Sequence, residues 1–111
     1  MPYIKKELRP KLDIAIDELV KRIKNCTEND DNLVCGVLNY CITRIVLATI
    51  IKRFGKVRYH IMCMIDGVLS NISQEIYRRV TSFYEDQKIK ESGDVKEFLY
   101  IDEDLHPGDY R

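Results

Sequence analysis

The stretch VRYHIMCMIDGVLSNISQEIYRRVTSFYEDQKI, residues 57–89, decides the fold. Its apolar residues fall at Ile61, Ile65, Val68/Leu69, Ile72, Ile76, Val80 and Phe83. Steps of three and four residues put them on one stripe of a long helix. The far end of the stripe carries a dense polar cluster of Glu75, Tyr77, Arg78, Arg79, Glu85 and Asp86. The spacing predicts a helix from residue 57 to residue 92, stopped by Gly93. A break near Thr81 and Ser82, leaving a separate helix over 83–91, fits the same pattern. Gly67 lies inside the helix, where glycine costs roughly 1 kcal/mol against alanine. Close approach by another helix is the expected reason for it.

Upstream, residues 33–51 read LVCGVLNYCITRIVLATII. The β-branched content would suit strands, but an uninterrupted run of this length is far beyond a usual strand. A helix over 33–53 is predicted. Lys52 and Arg53 complement its dipole, and Gly55 offers a left-handed cap. The run is long enough to span a bilayer. Arg44 would then sit near the hydrocarbon centre at ~2.5–3.5 kcal/mol, so a helix buried on most sides of a soluble bundle is the better reading. Ahead of it, Pro10 suits a first helical turn. Leu12, Ile16, Leu19 and Ile23 mark the stripe of a helix over 10–25. The polar NCTENDDN between the two helices reads as a loop, with Asp30, Asp31 or Asn32 as the next cap.

After Gly93 the chain is acidic. Its KEFLYI segment is the one place where a short strand or an adhering arm is allowed, and a Pro-Gly turn lies near its end. The fold expected is all-α: a small bundle of three to four helices with a long third helix over residues 1–95, and an extended acidic C-terminal tail over 96–111.

At 111 residues the chain suffices for one core. Its formal charge is zero but unevenly placed. Residues 41–80 hold seven bases against two acids, and residues 81–111 hold four against nine. A tail folding back on a basic surface explains this more simply than an anion site. Cys26, Cys35, Cys41 and Cys63 include no Cys-x-x-Cys pair, so no zinc site is read. Reduced thiols are expected, with Cys41 and Cys63 packed as small hydrophobes. The N-terminus has no apolar run of the signal-peptide kind. A cytoplasmic protein without cofactor is expected.

Three constellations carry polar chemistry. Asn39, Tyr40 and Arg44 share an apolar helix, and buried polar groups need partners. Arg44 is expected to pair with Glu75, or the group lines a ligand pocket. Next come Glu75, Tyr77, Arg78 and Arg79. Glu75 and Arg79 are spaced for an i,i+4 bridge, while arginine forks and tyrosine rings also suit an anionic or aromatic ligand. If Arg78 or Arg79 closes a buried pair with Glu75, truncating it is expected to cost ~3–5 kcal/mol. The run Lys52–Tyr59 places four bases and two aromatics around a turn. It reads as a solvated helix end, and nucleic-acid binding is the lesser reading. The adjacent acids Glu85-Asp86 and Asp102-Glu103-Asp104 point apart on a helix, and no Glu-x-x-Glu pair recurs. No enzyme is expected.

The motifs at Met1–Lys6, Leu38–Thr43, Ile76–Val80, Tyr84–Ile89 and Gly93–Val95 resemble those of a family of short uncharacterised bacterial, archaeal and phage proteins. The resemblance covers residues 1–95. It implies a microbial or viral cytoplasmic protein and carries no activity. Helix two is apolar all round, and three helices cannot enclose it, so a homodimer or higher oligomer is expected. The functional reading is an oligomeric binding module, a protein adaptor or structural subunit. The alternative is a small-molecule binder, such as a phage anti-defence sponge for a nucleotide signal. It follows from the phage setting of the resembled family, the Arg/Tyr content of the long helix and the expected symmetry.

Overall fold

Helical signals along the sequence translate into helices throughout the computed structural model, which describes residues 2–105. Arg9 and Pro10 open α1, Arg9–Thr27, with proline in the first turn where its missing N–H is no loss. The Arg9 guanidinium bonds the Ile4 carbonyl through Nε at 3.1 Å and Nη2 at 2.8 Å. That bond ties the incoming chain and the 3-10 turn Lys6–Leu8 to the helix start. At the other end the Thr27 hydroxyl donates to the Ile23 carbonyl at 2.8 Å, and Thr27 is buried.

Helix α2 covers Leu33–Phe54. Asn32 is its N-cap residue, but no side chain caps the helix. Asp30 instead closes the preceding turn by accepting the Asn32 N–H at 2.9 Å. Gly55 ends the helix at φ 80°, its N–H donating to the Ile51 carbonyl at 2.9 Å. Helix α3 covers Tyr59–Ile76. It passes into a π turn, Tyr77–Thr81, and that turn passes into α4, Ser82–Ser92, stopped by Gly93 at φ 84°. The expected single helix is therefore three elements, and the widened turn sits just ahead of the alternative break point. Helix α5 covers Lys96–Leu105. The KEFLYI segment is helical, not a strand. Val95, Phe98, Ile101 and Leu105 recur at helical spacing, and that periodicity outweighs the β-propensity of the short run. The expected Pro107-Gly108 turn lies outside the described residues.

The chain packs as two units, residues 1–71 and 72–111, and the division falls within α3. In the first, α1 and α2 pack as an antiparallel hairpin. Ile50 and Ile61, on either side of the Gly55 turn, are 1% and 4% exposed. They are the only buried apolar side chains among the described residues. The second unit is built from the end of α3, the π turn, α4 and α5, and no described side chain in it is buried.

Two expectations change accordingly. Helix α2 is not buried on most sides: Leu38, Ile42 and Ile45 are 41%, 46% and 52% exposed. Gly67 is not crowded, since a methyl group built on it meets nothing within 4 Å. Helix α2 is long and apolar enough to cross a membrane, a test that core helices of soluble proteins also pass.

Candidate functional site

The hairpin supplies the first candidate. Helices α1 and α2 diverge enough to leave an apolar groove between them. One part, about 490 Å³, is walled by Leu19, Ile23, Val37, Tyr40 and Cys41 among others. It continues past Leu19, Tyr40 and Cys41 to Arg44, Ile45 and Ala48. Residues 33, 37, 40, 44 and 48 follow the three-four spacing of one helix face, which is why α2 lines the groove over four turns. Tyr40 and Arg44 belong to that wall. Asn39 does not: its amide oxygen accepts the Thr43 hydroxyl at 3.4 Å along the same helix.

The charges on the hairpin are few. Arg22 is held by Glu18 one turn earlier, Nε to Oε1 at 3.1 Å. Arg44 forms no hydrogen bond or ion pair among the described residues, and its side chain is exposed. Glu75, the partner expected for Arg44, is paired with Arg78 three residues on.

The second candidate lies around the π turn. Arg78, not Arg79, bridges Glu75, at i,i+3 rather than i,i+4. The Arg78 side chain is 65% exposed and that of Glu75 21%, so this is no buried pair. Tyr77 donates its hydroxyl to Glu85. That bond, with the negative charges of Glu85 and Asp86 nearby, holds the phenol above its ordinary pKa of 10.0. The Ser82 hydroxyl donates to the Arg78 carbonyl at 2.8 Å, a bond that satisfies a carbonyl in the turn where helical pairing changes. Arg79 is exposed and makes no hydrogen bond or ion pair among the described residues. The π turn thus gathers Glu75, Tyr77 and Arg78 into local pairs within one unit.

Elsewhere, Arg53 lies over the Phe54 ring at 5.4 Å, part of the basic run at the end of α2. All four cysteines are free: Cys26, Cys35 and Cys63 are exposed and Cys41 is half-buried. Cys63 is therefore not packed as a core hydrophobe. Among the described residues no three His, Cys, Asp or Glu side chains are grouped to hold a metal. Sequence reasoning missed the groove wall of Leu19, Cys41, Ile45 and Ala48, although helical spacing from Tyr40 through Arg44 leads to Ala48. It also missed Glu85 as the partner of Tyr77, for which helical spacing gave no signal.

A family model, Domain of unknown function (DUF6899), matches residues 1–95. No curated protein and no solved structure matches the chain.

Proposed function

We propose that this chain, which belongs to the DUF6899 family of unknown function, is a non-enzymatic helical module that self-associates and binds another protein through the assembled surface. One observation carries the reading: several apolar side chains of α2 remain exposed, Leu38, Ile42 and Ile45 among them. Burying one such side chain is worth about 1.5–3 kcal/mol. Fixing each residue costs about 1.5 kcal/mol in conformational entropy, which a chain with so little buried core does not recover alone. In the assembly protein rather than lipid covers α2, with a cytoplasmic setting of microbial or viral kind.

Sedimentation velocity across a concentration series tests this. A dimer or larger species at micromolar concentration is expected. A folded monomer there overturns the reading, and recovery in the membrane fraction overturns the setting.

An anionic small ligand is the second reading, favoured by Arg79, exposed and unpaired among the described residues. Mass spectrometry of the denatured, freshly purified protein would reveal such a ligand. Its absence, with no thermal shift from nucleotides, removes this reading.

A further inference from the structure

The groove wall holds a cation that nothing in the hairpin answers. Arg44 stands on an apolar face with no partner among the described residues, while Arg22 across the groove is already paired with Glu18. One turn before Arg44 is Tyr40, on the same face and 63% exposed. We propose that a second copy of this chain covers the groove, its α1–α2 hairpin laid antiparallel on the first, with Tyr40 stacked under Arg44 of the partner subunit and Arg44 over the partner's Tyr40. This rests on the self-association reading above and assigns it a surface.

Symmetry makes the pair self-complementary. In a two-fold contact, residue i meets j and j meets i. Tyr40 and Arg44 straddle the midpoint of α2, Leu33–Phe54. A two-fold axis passing beside residue 42 therefore sets each against the other. A guanidinium on a tyrosine face is attracted by the ring quadrupole, and more so once water is excluded. An arginine covered by an apolar partner would instead lose its hydration with nothing in return.

The size fits. Helix α1 has 19 residues, hence a face about 28 Å long. Two helices with axes about 9 Å apart, each about 10 Å across, make it about 19 Å wide. A ridged face with these dimensions, about 500 Å² in projection, approaches the ~800 Å² of accessible surface that each partner buries in a stable complex.

A second copy also fits better than a foreign helix. The cover is needed whenever the chain is folded, because Ile50 and Ile61 are the only apolar side chains buried among the described residues. Another copy is always present when the chain is.

Cys41 lies within one residue of the axis and is half-buried in the groove wall. The test uses the full chain with the exposed Cys26, Cys35 and Cys63 replaced by serine. Mild oxidation is expected to give a covalent dimer linked through Cys41. If that variant does not fold, the wild-type chain is oxidised and its linked peptides are identified by mass spectrometry. In parallel, Arg44→Glu is expected to weaken self-association roughly tenfold or more with helical circular dichroism kept. A wild-type dimer that neither links through Cys41 nor weakens in Arg44→Glu overturns this surface while leaving self-association standing. In the oxidised wild-type chain, linkage of Cys41 only to a cysteine of its own chain overturns it too. A wild-type monomer removes both readings.

Discussion

The Tyr77 hydroxyl donates to the Glu85 carboxylate eight residues further on. In an uninterrupted α-helix eight residues turn through about 800°, some 80° past two full turns, and the side chains diverge. The π turn at Tyr77–Thr81 takes one extra residue into the winding. Eight residues then cover what seven cover elsewhere, about 700°, and Tyr77 and Glu85 fall on nearly one line. The widened turn thus lines up the two side chains for this hydrogen bond.

That bond predicts a high-pH signature. Tyr77 is held above 10.0, first by its bond to Glu85, then by local desolvation and the charges of Glu85 and Asp86. A folded pKa above the unfolded value means the contribution is complete below about pH 10 and is lost as pH rises through the folded pKa. Ultraviolet difference titration should assign the late-titrating phenolate to Tyr77 by its loss in Tyr77→Phe. Glu85→Gln should bring Tyr77 back toward 10. An unchanged titration in both variants would sink the assignment.

Arg78→Ala is expected to cost less than about 1 kcal/mol, because the pair with Glu75 is largely solvated on the Arg78 side. Urea unfolding at fixed protein concentration measures it. The sequence-based expectation of ~3–5 kcal/mol assumed a buried pair, and a loss of that size would mean that a partner chain covers Arg78.

The glycines give opposite signs. Gly55 sits at φ 80°, so Gly55→Ala should destabilise by about 1–2 kcal/mol through left-handed strain. Gly67 is helical with open space around it, so Gly67→Ala should stabilise by up to about 1 kcal/mol. Thermal melts of the two variants decide this. If Gly67→Ala destabilises, the open space is filled in the assembly.

The helices were legible in the sequence because each boundary has a local cause. Pro10 starts α1, Gly55 stops α2 and Gly93 stops α4, all from backbone sterics that need no tertiary context. The pairings were less legible. Between Arg78 and Arg79 as local partners of Glu75, the pair formed is with Arg78, three residues on. The π turn left no periodic trace, since Val80 and Phe83 continue the apolar spacing through it. Helix α5 was misread because a six-residue window around Phe98 shows β-branched and aromatic residues before it shows a period. The groove depends on how far α1 and α2 splay, which spacing does not encode.

Ile50 and Ile42 separate folding from assembly. Both are isoleucines of α2, but Ile50 is 1% exposed within the single chain and Ile42 is 46% exposed. Truncating a fully buried isoleucine removes its transfer energy and leaves a cavity, about 2–5 kcal/mol. Ile50→Ala should therefore destabilise at every protein concentration. Ile42 is covered further only if another molecule packs on it, so Ile42→Ser should cost much less than Ile50→Ala within the single chain. If a second molecule covers Ile42, its loss should instead shift the melting temperature in a concentration-dependent way, since stability is then coupled to association. The measurement is melting temperature for each variant over a hundredfold range of protein concentration. A flat dependence for the wild type and both variants would mean the exposed face of α2 stays uncovered.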